Sequence, residues 1–146
     1  MMTTTLDWNL IRVGDAITPM KIDVTATVVV AGAIATRDFM PVHHDREYAN
    51  SQGAPQIFMN IMTSNGLCSR FLTDWAGPEA RVRKIAIRLG LPAYAGSKLE
   101  FTGKVTAKSQ VDGDGIVEVE LRATNDQGDH LSGTAVIGLS LARTGS

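Results

Sequence analysis

The chain has 146 residues, 14 basic and 15 acidic side chains and a formal net charge of −1, which fits one near-neutral domain that buries about two-thirds of its unfolded surface without disulfide or metal support. Charge balance and 5% aromatics argue against nucleic-acid binding, and the apolar runs fall far short of the roughly 20 residues of a membrane span. The single cysteine, Cys68, allows no internal disulfide, so the cytosol is the default compartment and Cys68 reads as a small core side chain.

Residues 1–20 read as an N-terminal tail and lead-in; no positive cluster precedes an apolar run, so a signal peptide is not expected. The apolar pattern continues from about Ile22 to Leu141 with no linker, repeat or low-complexity block, which makes residues 1–146 a single domain. Within Asp23–Ala35 the triplet Val28-Val29-Val30 favours a strand by propensity, whereas the alanines and Gly32 pull the other way. Asp38 to Asp45, with Pro41 and two histidines, suits an ordered loop. Asp45 then caps a short helix to about Asn50, with Glu47 in its first turn.

The clearest helix begins near Pro55 and runs to about Asp74, with Ile57, Ile61, Cys68, Leu72 and Trp75 on one stripe, widened by Phe58, Met62 and Phe71. Ala76-Gly77-Pro78 ends it. The period then changes to two: Val82–Leu89, Leu99–Val111, Val117–Ala123 and His130–Leu141 read as strands, with Asp112-Gly113-Asp114-Gly115 as a hairpin signal. One long helix followed by antiparallel strands means an α+β domain with a curved sheet packed on that helix.

Titratable and polar groups are densest in Arg37–Glu47. Asp38 and His43 lie five residues apart across Pro41, a spacing that lets a folded-back loop aim both at one water as an acid/base pair; the alternative is a loop-capping aspartate and a satisfied surface histidine. His43, His44, Asp45 and Glu47 are potential metal ligands but match no zinc spacing, and no P-loop or GxGxxG is present. Ser64 and Cys68 sit in the buried-looking helix with no histidine nearby in sequence, against a nucleophilic role. Met59 and Asn60 lie near the start of the long helix, whose free N–H groups suit a developing oxyanion; otherwise Asn60 merely satisfies helix-start backbone groups. Arg81, Arg83, Lys84 and Arg88 form either a basic patch for the phosphates of an acyl-CoA or a solvated strand face.

The run Asp38-Phe39-Met40-Pro41-Val42-His43-His44-Asp45 resembles the hydratase motif of the MaoC-like (R)-specific enoyl-CoA hydratases, which carry aspartate, then typically Phe-Asn-Pro-Leu, histidine, one variable residue and aspartate. Arg88-Leu89-Gly90 and Gly128–Ala135 also resemble that family's layout, and the resemblance spans about Val24 to Leu141. Two positions depart from it: Met59-Asn60 stands where a histidine-glycine pair is usual, and Met40 replaces asparagine. With Ala35–Phe39, Val42–Arg46 and Thr73–Pro78, these departures look most like the small catalytic subunit of heteromeric hydratases acting on steroid side-chain enoyl-CoA esters.

The resemblance implies a single hotdog domain, a sheet wrapped around a long central helix, with Thr25–Ala35 largely helical. It also implies a second hotdog subunit, as a homodimer or a heterotetramer with a MaoC-like partner, an acyl-CoA substrate and no cofactor. Asp38 and His43 would activate one water, Asn60 would polarise the thioester carbonyl through backbone N–H, and Met59, Arg83, Lys84 and Arg88 would contact substrate. The rivals are a hotdog thioesterase and a non-catalytic acyl-CoA-binding subunit.

Overall fold

Five antiparallel strands, β1 (Ala16–Asp23), β2 (Arg81–Leu89), β3 (Lys98–Val111), β4 (Asp114–Asn125) and β5 (Gly128–Ser140), form one sheet in the order β1-β3-β4-β5-β2. The computed structural model describes residues 4–141, so residues 1–3 of the expected tail lie outside the described residues. The lead-in is more than a tail, since residues 16–20 begin strand β1 on β3. Its sequence hides this because it is a largely exposed edge strand, and the register slips between Ile17 and Met20, where Pro19 sits.

The other strands follow the two-residue period. In β4, Val117, Val119, Leu121 and Ala123 are buried while Glu118, Glu120 and Arg122 face outward, and Lys104 of β3 pairs with Glu120 across the sheet at 3.1 Å. The β3–β4 turn has positive φ at both Asp112 (50°) and Gly113 (81°), the conformation that a two-residue hairpin needs to match strand twist.

The central helix α3 (Ile61–Ala76) lays Ser64, Cys68, Phe71, Leu72 and Ala76 into the core. The Phe71 ring lies 5.9 Å from that of Phe101, and a Cβ on Gly103 would come within 3.2 Å of Phe71 and 2.9 Å of the Glu120 carbonyl, so this strand position has no room for a side chain. The helix starts six residues later than Pro55 suggests. Residues 57–59 run extended instead: Met59 N–H donates to Ala93 O at 2.9 Å and Ala95 N–H to Ile57 O at 2.9 Å. Asn60 then caps the helix, its Oδ1 accepting from Thr63 N–H at 3.0 Å. Ile61 and Met62, expected on the buried stripe, are 51% and 56% exposed.

Helix α1 (Ala26–Ala35) overrides its β-branched triplet, as the resemblance implied. Thr25 caps it by accepting from Val28 N–H at 3.1 Å, and Val29 and Ala33 are buried. Its C-terminus closes with Arg37 N–H donating to Ile34 O and Asp38 N–H to Ala33 O, the paired bonds of a Schellman motif. Arg37 occupies the left-handed position of that motif at φ 58°, where glycine is the unstrained residue. Arg37→Gly is therefore expected to stabilise the fold by about 0.5–1 kcal/mol, after the entropy glycine adds to the unfolded chain; urea unfolding reads this directly, and a lower midpoint would contradict it. The short helix α2 (Arg46–Ser51) is capped by Asp45, which accepts from Tyr48 N–H at 3.0 Å.

Candidate active site

The end of α1 delivers Asp38, and a 3₁₀ turn over Pro41–His43 folds the loop back on it. His43 Nε2 then lies 3.2 Å from Asp38 Oδ2, with the imidazole 8% exposed and the carboxylate 29%. The other ring nitrogen, Nδ1, is 2.7 Å from Phe58 O. A carbonyl only accepts, so Nδ1 carries a proton and Nε2 is the nitrogen that faces Asp38.

Asn60 completes the cluster. Its Nδ2 donates to Asp38 Oδ2 at 3.1 Å and to Thr36 Oγ1 at 2.8 Å, while its Oδ1 accepts from both the backbone N–H and the hydroxyl of Thr63. The hydrogen bond from Asn60 is the main cause holding the Asp38 carboxyl below the usual carboxylate range; partial burial opposes it, and the Met40 N–H and His43 assist. The Asn60 side chain is thus fully engaged with Asp38, Thr36 and Thr63. Its backbone N–H and that of Ile61 find no acceptor among the described residues.

Beside the pair opens an apolar cavity of about 260 Å³, bounded by His43, Phe58, Met59 and Asn60 on one side and by Leu89–Pro92 and His130 on the other. Met59 lines it. Arg83, Lys84 and Arg88 do not. Arg83 and Arg81 both bind the Asp114 carboxylate, which ties Arg83 to the sheet, and six residues of strand place it roughly 20 Å from Leu89. Lys84 and Arg88 are exposed on β2 and line no part of the cavity. Among the described residues no three His, Cys, Asp or Glu side chains converge as metal ligands.

The sequence reading missed His130, which is distant in the chain from everything it touches. Its Nδ1–H donates to Leu91 O at 2.7 Å, so its Nε2 accepts from the Ser64 hydroxyl at 2.8 Å. Ser64 thus has a histidine neighbour in space, but it is fully buried and lines no part of the cavity. Cys68 is equally inert, since burial pushes its thiol up to about 12. Burial lowers the pKa of His130, partly opposed by the Leu91 carbonyl. Above about pH 6.5 neither folded nor unfolded His130 binds a proton, and below it only the unfolded chain does, so stability falls with pH until the folded value is reached. Melting temperature is expected to drop between pH 7 and 5.5 more steeply in the wild type than in His130→Gln; equal slopes would contradict this.

Residues 9–127 match the MaoC-like domain family. The chain is 44% identical over 129 residues to the 3-oxo-4,17-pregnadiene-20-carboxyl-CoA hydratase beta subunit of Mycobacterium tuberculosis, covering 88% of this chain and 95% of that one. A chain in the crystal structure of the ChsH1-ChsH2 complex of the same organism superposes with a TM-score of 0.82 at 42% identity, over 88% of this chain and 98% of that chain. The (R)-hydratase of A. caviae involved in PHA biosynthesis shares the fold, with a TM-score of 0.81 at 23% identity over 89% and 98% of the two chains. The fold is that of the hotdog hydratases. This chain belongs to the MaoC-like domain family.

Proposed function

We propose that this chain is the catalytic subunit of an enoyl-CoA hydratase, adding water across the 2,3 double bond of a 2-enoyl-CoA thioester to give the (3R)-hydroxyacyl-CoA. The observation that carries the reading is that Asp38 Oδ2 lies 3.2 Å from the Nε2 of His43, which lines an apolar cavity. The pair holds one water, takes a proton from it as its oxygen bonds to C3, and returns a proton to C2; no cofactor takes part. The thioester oxygen, which gains charge as C3 is attacked, faces the unpaired N–H groups of Asn60 and Ile61 at the start of α3. Oxyanion stabilisation thus falls to the backbone, which explains how Met59-Asn60 can replace a histidine-glycine pair.

The name of the 44% identical relative supports a steroid side-chain thioester as the substrate class, and a beta subunit implies a second chain. A cavity of about 260 Å³ is at the small end for a ligand pocket. Phe39, Met40, Ile61, Met62, Leu89 and Leu91 are all exposed; they lie on the loop, the helix start and the strand end that frame the site, and offer an apolar surface to a second hotdog subunit. Incubation with an enoyl-CoA separates hydration from thioester hydrolysis: the expected result is loss of enoyl absorbance with no free CoA thiol, whereas thiol release matching substrate loss would overturn the reading.

A further inference from the structure

The Asn60 amide bridges three elements, and its orientation decides whether Asp38 receives a proton donor or a carbonyl dipole. Thr36, the last residue before the left-handed turn of α1, has one hydroxyl proton, and it goes to the Gly32 carbonyl at 2.8 Å or the Ala33 carbonyl at 3.2 Å. Toward Asn60 the hydroxyl therefore presents only lone pairs. That fixes Nδ2 on the Thr36 and Asp38 side, while Thr63 fixes Oδ1 on the other. At 2% exposure, Asn60 has little access to water that would replace either partner.

We propose that Thr36 is a positioning residue for the Asp38–His43 pair: by accepting one Asn60 N–H it holds the other on Asp38 Oδ2, keeping that oxygen an aimed acceptor. The proposal rests on the hydratase reading for its kinetic consequence, but its electrostatic consequence stands alone. No other charged group competes for the role. Helix α1 and the first turn of α3 carry no ionisable side chain, Arg37, His44 and Asp45 of the loop are exposed, and His43 is the only titratable side chain paired with Asp38 among the described residues.

Thr36→Val keeps the shape and removes the acceptor, leaving an Asn60 N–H that regains a partner only by turning away from Asp38. Thr36→Ser restores the hydroxyl. The test is a pH titration of the Asp38 carboxyl carbon by NMR in the full-length wild type and both variants, beside enoyl-CoA kinetics with Asp38→Asn as reference. The expected result is a higher Asp38 midpoint and about tenfold lower kcat at unchanged KM in the valine variant, both reversed by serine. An Asp38 titration unchanged by valine overturns the proposal. An active Asp38→Asn variant overturns the hydratase reading, while the titration still decides the role of Thr36. Should valine prevent folding, Thr36→Ala carries the same titration.

Discussion

Replacing Asp38 by asparagine is expected to lower kcat for enoyl-CoA hydration by roughly 10²–10⁴-fold with little change in stability. The new amide is isosteric, and its oxygen still accepts the Asn60 N–H that Oδ2 accepts in the wild type. Its nitrogen then takes the place of Oδ1, beside the Met40 N–H that Oδ1 accepts in the wild type, and His43 Nε2, which lies 3.2 Å from the Oδ2 position, faces a neutral amide oxygen in place of a carboxylate. The variant thus loses the negative charge beside the imidazole, and with it the carboxylate that shares in proton transfer. His43→Ala should cost a similar factor, and the double variant little more, because the two act as a unit. Rates measured on folded protein, with melting curves as a control, check this; wild-type turnover by either single variant would refute it.

The second large effect runs against helix propensity. Gly32 lies inside α1, where a Gly→Ala change ordinarily gains up to about 1 kcal/mol. Here the added Cβ would overlap Thr63 Oγ1 and lie 2.9 Å from Thr63 Cγ2. Thr63 is β-branched and cannot swing clear without breaking its hydroxyl bond to Asn60 Oδ1. Overpacking typically costs 1–3 kcal/mol, so Gly32→Ala is expected to be destabilising by about 1–2 kcal/mol on urea unfolding. Because the displaced side chain clamps the amide that holds Asp38, turnover should also fall, roughly ten- to a hundredfold. A stabilised, fully active Gly32→Ala protein would mean that α1 and α3 meet less tightly than this contact implies.

Much of this arrangement was legible in the chain. The two-residue alternation of Val117–Ala123 and the Asp112-Gly113 turn determine the β3–β4–β5 meander, since one face must be apolar and both turn residues must accept positive φ. Asp38 and His43 were legible as a pair because Pro41 shortens the path between them. The long-helix start was misread because Ile57 and Phe58 continue its apolar period by coincidence. Their burial comes from an extended segment held by Ala93 and Ala95, a contact across more than 30 residues that no local pattern reports. Asn60 itself carried the correct signal, since asparagine ahead of an apolar run is among the strongest N-caps. Edge strand β1 was lost to Pro19 and exposure, and His130 was invisible because Ser64 and Leu91 reach it only through the sheet.

We propose that Asp38 and His43 together hydrate an enoyl thioester. The most direct measurement is enoyl absorbance loss with a short 2-enoyl-CoA and with a steroid side-chain enoyl-CoA, using the purified chain and the chain co-expressed with a MaoC-like partner. Asp38→Asn and His43→Ala serve as controls. Hydration by the wild type is expected, with the steroid ester favoured once the partner is present, and loss of at least a hundredfold in either variant. Hydration that survives both substitutions, or no hydration of either ester with the partner present, would contradict it.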